Sequence, residues 1–176
     1  MAVHVVIDGY NLIRQSESLS AEEELSMKLG REALLERLRQ YKQIRGHKIT
    51  VVFDAANKPL LAEERTHKKG IRIIYSAQGE TADSVIKRIS RNEGERALVV
   101  TSDRELATYV EECGSVAMGS EDFEARVQMA RYVDLKGVNE ESEEGRWTPG
   151  KGTRKKGPAK RMSKKQRKRR QKQRKL

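Results

Sequence analysis

Cysteine is almost missing from this 176-residue chain, where Cys113 stands alone. One thiol allows no intrachain disulfide and excludes a cysteine-built zinc site. It is compatible with a reduced, cytoplasmic environment. Histidine is scarce too: His4, His47 and His67 fall in or around separate segments and read as structural or surface side chains. No Ser/His or Cys/His arrangement suggests a nucleophilic mechanism. No apolar run approaches a membrane span, and no charged region precedes an apolar stretch at the N-terminus as in a secretory leader. The expectation is a soluble cytoplasmic protein. One end of the chain also lacks acids. Residues 146–176 carry sixteen Lys and Arg and no Asp or Glu, while the preceding residues hold the other 21 cations and all 26 acids. The formal charge of +11 therefore describes a tail, attached to a body of about −5.

What the body does contain is a series of short β-branched runs: VHVVI (3–7), KITVVFD (48–54), IRIIYS (71–76), RALVVTSD (96–103) and the weaker SVAM (115–118). Runs this continuous in Val and Ile fit strands buried on both faces. Helical stretches lie between them. Leu34, Leu35, Leu38, Tyr41 and Ile44 mark one helix face, and Ala82, Val85, Ile86 and Ile89 mark another over 81–93. Residues 104–113 and 121–131 are further helix candidates, and 59–69 reads as a short helix. Alternating strands and helices predict a three-layer α/β domain with a largely parallel sheet over residues 1–137. From 138 to 176 an acidic patch and then the basic run have little to bury, and the expectation is a disordered tail.

Acids recur where the strands end. The first strand runs into Asp8-Gly9-Tyr10-Asn11, the second into Asp54, and the fourth into Thr101-Ser102-Asp103. The third is followed by Glu80 and Asp83 at the start of a helix. Each has an ordinary explanation. Asp-Gly and Asn are turn formers, Ser102-x-x-Glu105 is a capping box, acids suit first helical turns, and Lys87 is placed to pair with Asp83. In a parallel sheet, however, all these strand ends share one edge, which is where open α/β sheets bind ligands. Carboxylates gathered there repel unless a cation intervenes, and oxygen ligands suit Mg²⁺ or Mn²⁺. Such ions support phosphodiester displacement.

The ordered motifs DGYNLI, VVFDA, GETADSVI and VVTSD resemble the YacP-like branch of the NYN domain family, within the PIN-like nuclease superfamily. The resemblance covers about residues 3–135. It implies a Rossmann-like parallel sheet and a metal-dependent endoribonuclease site whose acids are Asp8, Asp83 and Asp103, with Asn11 and Ser102 in support. Asp54 and Glu80 match the branch's pattern as further candidate ligands. Some family members resemble ribosome-associated factors acting on messenger RNA.

The tail adds a partner. Its Lys155, Lys156, Arg161, Lys164, Lys165, Arg167, Lys168, Arg169 and Arg170 suit the backbone of a polyanion, with affinity from counterion release. Trp147 is its sole aromatic, so base stacking and sequence preference should be weak. RNA, including messenger or ribosomal RNA and the ribosome, is the expected partner. A membrane is disfavoured because the tail has no apolar face. Two rival readings remain: a catalytically silent RNA-binding or ribosome-associated module, and a nucleotide-binding or phosphatase-like enzyme. No glycine-rich phosphate cradle follows the first strand, which counts against the latter.

Overall fold

All five β-branched runs form strands. The computed structural model describes residues 3–55, 61–136 and 171. The runs become β1 (His4–Asp8), β2 (Lys48–Phe53), β4 (Ile71–Tyr75), β5 (Ala97–Val100) and β6 (Val116–Met118), with β3 (Glu64–Lys68) added at one edge. The sheet order is β3-β4-β2-β1-β5-β6. β1 pairs in parallel with both β2 and β5, β2 pairs in parallel with β4, and β5 with β6. From β1 the chain works outward through β2 to β4, then crosses back to β5 on β1's other side. The crevice between the carboxyl ends of β1 and β5 is therefore the point where the winding reverses, the usual ligand position in such sheets.

Alternation along the strands divides the core into two layers. Val5, Ile7, Val51, Phe53 and Val100 face α1 (Gly9–Gln15), α2 (Glu17–Leu25), α3 (Met27–Arg45) and α6 (Ser120–Lys136), packing with Leu34, Leu38, Tyr41 and Phe123. Val6, Val52, Ile74 and Val99 face α4 (Ala82–Glu93) and α5 (Arg104–Glu112), packing with Val85, Ile86, Leu106 and Val110. Each such side chain contributes about 1.5–3 kcal/mol when fully buried. Position 8 shares the parity of Val6, so Asp8 belongs to the α4/α5 side of the sheet.

Two expectations need correction. The helix expected over 59–69 does not form: Glu64–Lys68 is a strand antiparallel to β4, and residues 56–60 lie outside the described residues. Glu64, Arg65, His67 and Lys68 supply no apolar helical face. Lys69 and Gly70 both adopt positive φ, 55° and 76°, the geometry of a two-residue hairpin turn of the primed kind. Charged side chains also protect an edge strand from pairing with other chains. Secondly, the segment between β1 and β2 holds three helices where the apolar stripe marks one. α2 buries only Leu19, so it carries no helical stripe to read.

Gly9 has the look of turn chemistry that breaks the strand. It is instead the first residue of α1, and its hydrogen atom is needed for space. A Cβ there would stand 2.3 Å from Phe53 Cε1 and 2.6 Å from Cδ1. The Phe53 ring is buried and held between Tyr10, at 5.1 Å between centroids, and Tyr75, at 5.7 Å. Gly9→Ala is expected to destabilise by about 1–3 kcal/mol through overpacking, read as a lowered denaturant midpoint at constant slope.

Candidate active site at the carboxyl edge of the sheet

Asp8 ends β1 and caps α1, its Oδ1 accepting the Asn11 backbone N–H at 3.2 Å. The capping explanation and the site explanation are thus both satisfied, because only one carboxylate oxygen is engaged. Asp103 does the same for α5, with Oδ1 accepting from Leu106 N–H at 2.9 Å. The capping box expected on Ser102 is therefore one residue too early. With capping done by Asp103, Ser102 is left for another task.

That task is a link across the switch point. Asn11 Oδ1 accepts the Ser102 backbone N–H at 2.9 Å and the Ser120 hydroxyl at 2.7 Å. Ser102 Oγ in turn accepts the Ser120 N–H at 3.3 Å. One amide therefore ties the β1–α1, β5–α5 and β6–α6 junctions together. Ser120 is fully buried, and sequence reasoning misses it. Its sequence signal is only that of a helix start, and its partners are distant in the chain.

Asp83 lies in the first turn of α4, whose N-cap is Thr81, with Oγ1 accepting from Ser84 N–H at 3.2 Å. The charges of Asp83 and Asp103 bear on Asp8, and that of Asp103 bears on Asp83. Burial above all, with the negative charges of Asp83 and Asp103 adding to it, pushes the Asp8 carboxyl up to about 6 from 3.8; the Asn11 N–H and Arg14 oppose the shift. Asp83 is raised as well, by burial first and then by Asp103, with smaller contributions from Glu105 and Asp54 and opposition from Lys87. Burial first, and like charges after it, are the causes that shift acids at functional sites.

Asp54, just past β2, joins this field at Asp83. Glu80 is turned elsewhere: its Oε1 is 2.5 Å from Arg88 Nη1, and Arg88 also pairs with Glu63. His4, at the far end of β1, is buried against Thr50, with 2.8 Å between Nε2 and Oγ1, as a structural histidine should be. The basic residues between Lys155 and Arg170 lie outside the described residues, as does nearly all of the segment 138–176.

The donor chemistry of Asp8, Asp83 and Asp103 fits a hard dication, whose charge would relieve the repulsion that raises Asp8 and Asp83. Among the described residues, no three Asp, Glu, His or Cys side chains form a ready-made metal cluster. A hard dication that keeps several of its waters needs fewer direct ligands than such a cluster provides.

A largely parallel sheet with aspartates on its carboxyl edge at the switch point is the architecture of the PIN-like nuclease domains. The model of the YacP-like NYN domain matches residues 5–175, and the chain belongs to that family. The match runs past residue 135 into the basic segment. The chain is 27% identical over 133 residues to the uncharacterized protein YacP of Bacillus subtilis strain 168, covering 74% of each chain. It is similar in fold to a crystal structure of a point mutant of Rae1 (YacP) from Bacillus subtilis. That likeness has a TM-score of 0.65 at 21% identity, over 82% of this chain and 86% of that one. A further Rae1 (YacP) crystal structure gives 0.63 at 23% identity, over 82% and 83%. No helix among the described residues is long and apolar enough to cross a membrane.

Proposed function

We propose that this chain is a divalent-metal-dependent endoribonuclease whose cationic tail anchors it to RNA, on a messenger or on the ribosome. The observation that supports this best is that the charges of Asp83 and Asp103 add to burial in raising Asp8, although the three acids come from three different elements. These acids would hold an Mg²⁺ or Mn²⁺ ion, which when bound would supply activation of water and charge stabilisation for displacement at phosphorus. The chain's own residues do the rest. Asp8 and Asp103 each commit one oxygen to a helix cap, which fixes the carboxylate and leaves the second oxygen for the ion. Asn11, with Oδ1 held by Ser102 and Ser120, keeps its amide group in one orientation, so that Nδ2 can donate to a phosphate oxygen. Asp54 is placed to assist the field at Asp83, and Glu80 serves mainly to hold Arg88.

Mapping the fragments made from a defined RNA by the purified full chain, with Mn²⁺ and with EDTA, tests the reading. Metal-dependent internal cuts support it. Tight RNA binding without cuts would favour the silent-module reading, and hydrolysis of small phosphate esters but not of RNA would favour a phosphatase.

Ser120→Ala probes the linking amide. Loss of one hydrogen bond is expected to cost about 0.5–1.5 kcal/mol in unfolding free energy. Turnover should fall several-fold with KM nearly constant, because the loosened group orients the reacting phosphate rather than binding the chain as a whole. Unaltered turnover in this variant would remove Asn11 positioning from the mechanism.

A further inference from the structure

Phosphates entering this crevice meet a wall of negative charge, so a cation must hold them in register beside the acids. A tail of sixteen charges supplies affinity without choosing which phosphate meets the acids. Two side chains at the crevice are placed for the task. Arg14 is in the last turn of α1, its side chain 67% exposed, with Cζ 5.6 Å from the centroid of the Tyr10 ring. Lys87 is one turn after Asp83 on α4, with Nζ 5.3 Å from the centroid of the Tyr109 ring. The two helices cover opposite faces of the sheet, so the cations reach the site from opposite sides.

Lys87 is held off the acid it faces, and Arg14 makes only a long ion pair. Asp83 and Lys87 have the i, i+4 spacing of a helical ion pair, yet no such pair forms among the described residues, and the ammonium rests over Tyr109 instead. Arg14 approaches Glu23 only at 3.9 Å and lies over Tyr10. Tyr10 is itself fixed, edge-on to Phe53 and with its hydroxyl accepting from Arg31 Nη1 at 2.9 Å. A cation seated on an aromatic face keeps its N–H donors for another acceptor, whereas one locked to a carboxylate spends them there. Each still acts on a site acid, Arg14 on Asp8 and Lys87 on Asp83.

We infer that Arg14 and Lys87 are the substrate-positioning cations of this site, gripping RNA backbone phosphates on either side of the scissile bond. The inference rests on the ribonuclease reading above and adds to it the residues that set the register of the strand.

The test uses the full chain with Arg14→Gln, Lys87→Gln and the double variant. Steady-state cleavage of a short single-stranded RNA in Mn²⁺ would be measured beside RNA affinity in EDTA across a salt series, and Mn²⁺ affinity by calorimetry. Each single substitution should raise KM about tenfold, the effect of removing one charge-assisted hydrogen bond, with a smaller change in kcat. The log–log salt slope of RNA binding should shrink by about 0.7 for each phosphate no longer gripped. Arg14→Lys and Lys87→Arg should restore most of the affinity. Mn²⁺ should bind as tightly as before or more tightly, since a competing positive charge has gone. Native KM and salt slope in both variants would overturn the inference, as would a parallel loss of Mn²⁺ binding and thermal stability, which marks a structural role. A native chain that binds RNA without cutting it fails the ribonuclease reading alone, because the salt slopes in EDTA still report on the two cations.

Discussion

Asp8→Asn is expected to melt several degrees above the native protein at pH 7.5 while losing RNA cleavage by about a hundredfold or more. Asparagine has nearly the shape of aspartate and caps a helix as well, so α1 keeps its start. What disappears is a charge that the fold holds at a cost. An acid raised to about 6 from 3.8 binds its proton more readily in the folded state than in the unfolded one. Stability therefore falls as pH rises through that window, and the penalty is complete above about pH 6. It amounts to no more than about 3 kcal/mol, two units at about 1.4 kcal/mol each. The advantage of Asp8→Asn should be full at pH 7.5 and should vanish near pH 4. Thermal melts in EDTA at both values, run beside cleavage assays in Mn²⁺, would show it. A variant less stable at pH 7.5, or one fully active, would contradict the assignment. Asp103→Asn keeps the α5 cap and should lose cleavage likewise.

Removing residues 146–176 should have the largest effect on RNA binding and almost none on the fold. The truncation takes away +16 and leaves a body near −5. Among the described residues the buried core ends with Val127 and Ala130 on α6, well before the cut, so the melting temperature should hold. A protein making six to ten phosphate contacts loses about 10³–10⁵ in affinity between 50 and 200 mM salt. The full chain should show that steepness and the truncated chain a much shallower line. Affinity at physiological salt should fall by about 10²-fold or more. Turnover of a short RNA at saturation should survive, because the acids, Asn11 and the two rim cations remain. Equal slopes for the two proteins would show that the RNA anchor lies in the body.

The parallel sheet is legible because five apolar runs are too short and too β-branched for helices, and the four stronger ones close on a polar residue. That same regularity puts Asp8, Asp54 and Asp103 on one edge. Asp83 follows from the helix start after the third run. What escapes is set by neighbours distant in sequence. β3 forms because β4 is there to pair with, and its own residues carry neither an apolar helical face nor an apolar alternation. Ser120 matters only through Asn11 and Ser102. Gly9 looks like a turn because nothing local announces that the Phe53 ring lies against its Cα. The cap shifts from Ser102 to Asp103 by a single residue, within the ordinary uncertainty of helix ends.

The link from Asn11 to Ser120 spans 109 residues of chain. β1 is synthesised long before its neighbour in the middle of the sheet, β5, which begins at Ala97. At about 5–20 residues per second, a nascent chain displays Asp8 and Asn11 for roughly 5–20 s before Ser120 has even been joined to it. For most of that interval β5 and Asp103 are not yet present, and Asn11 gains first Ser102 and then Ser120 only at its end. The last tie at the switch point is thus made only when the start of α6 has been synthesised, after all three aspartates are already in the chain.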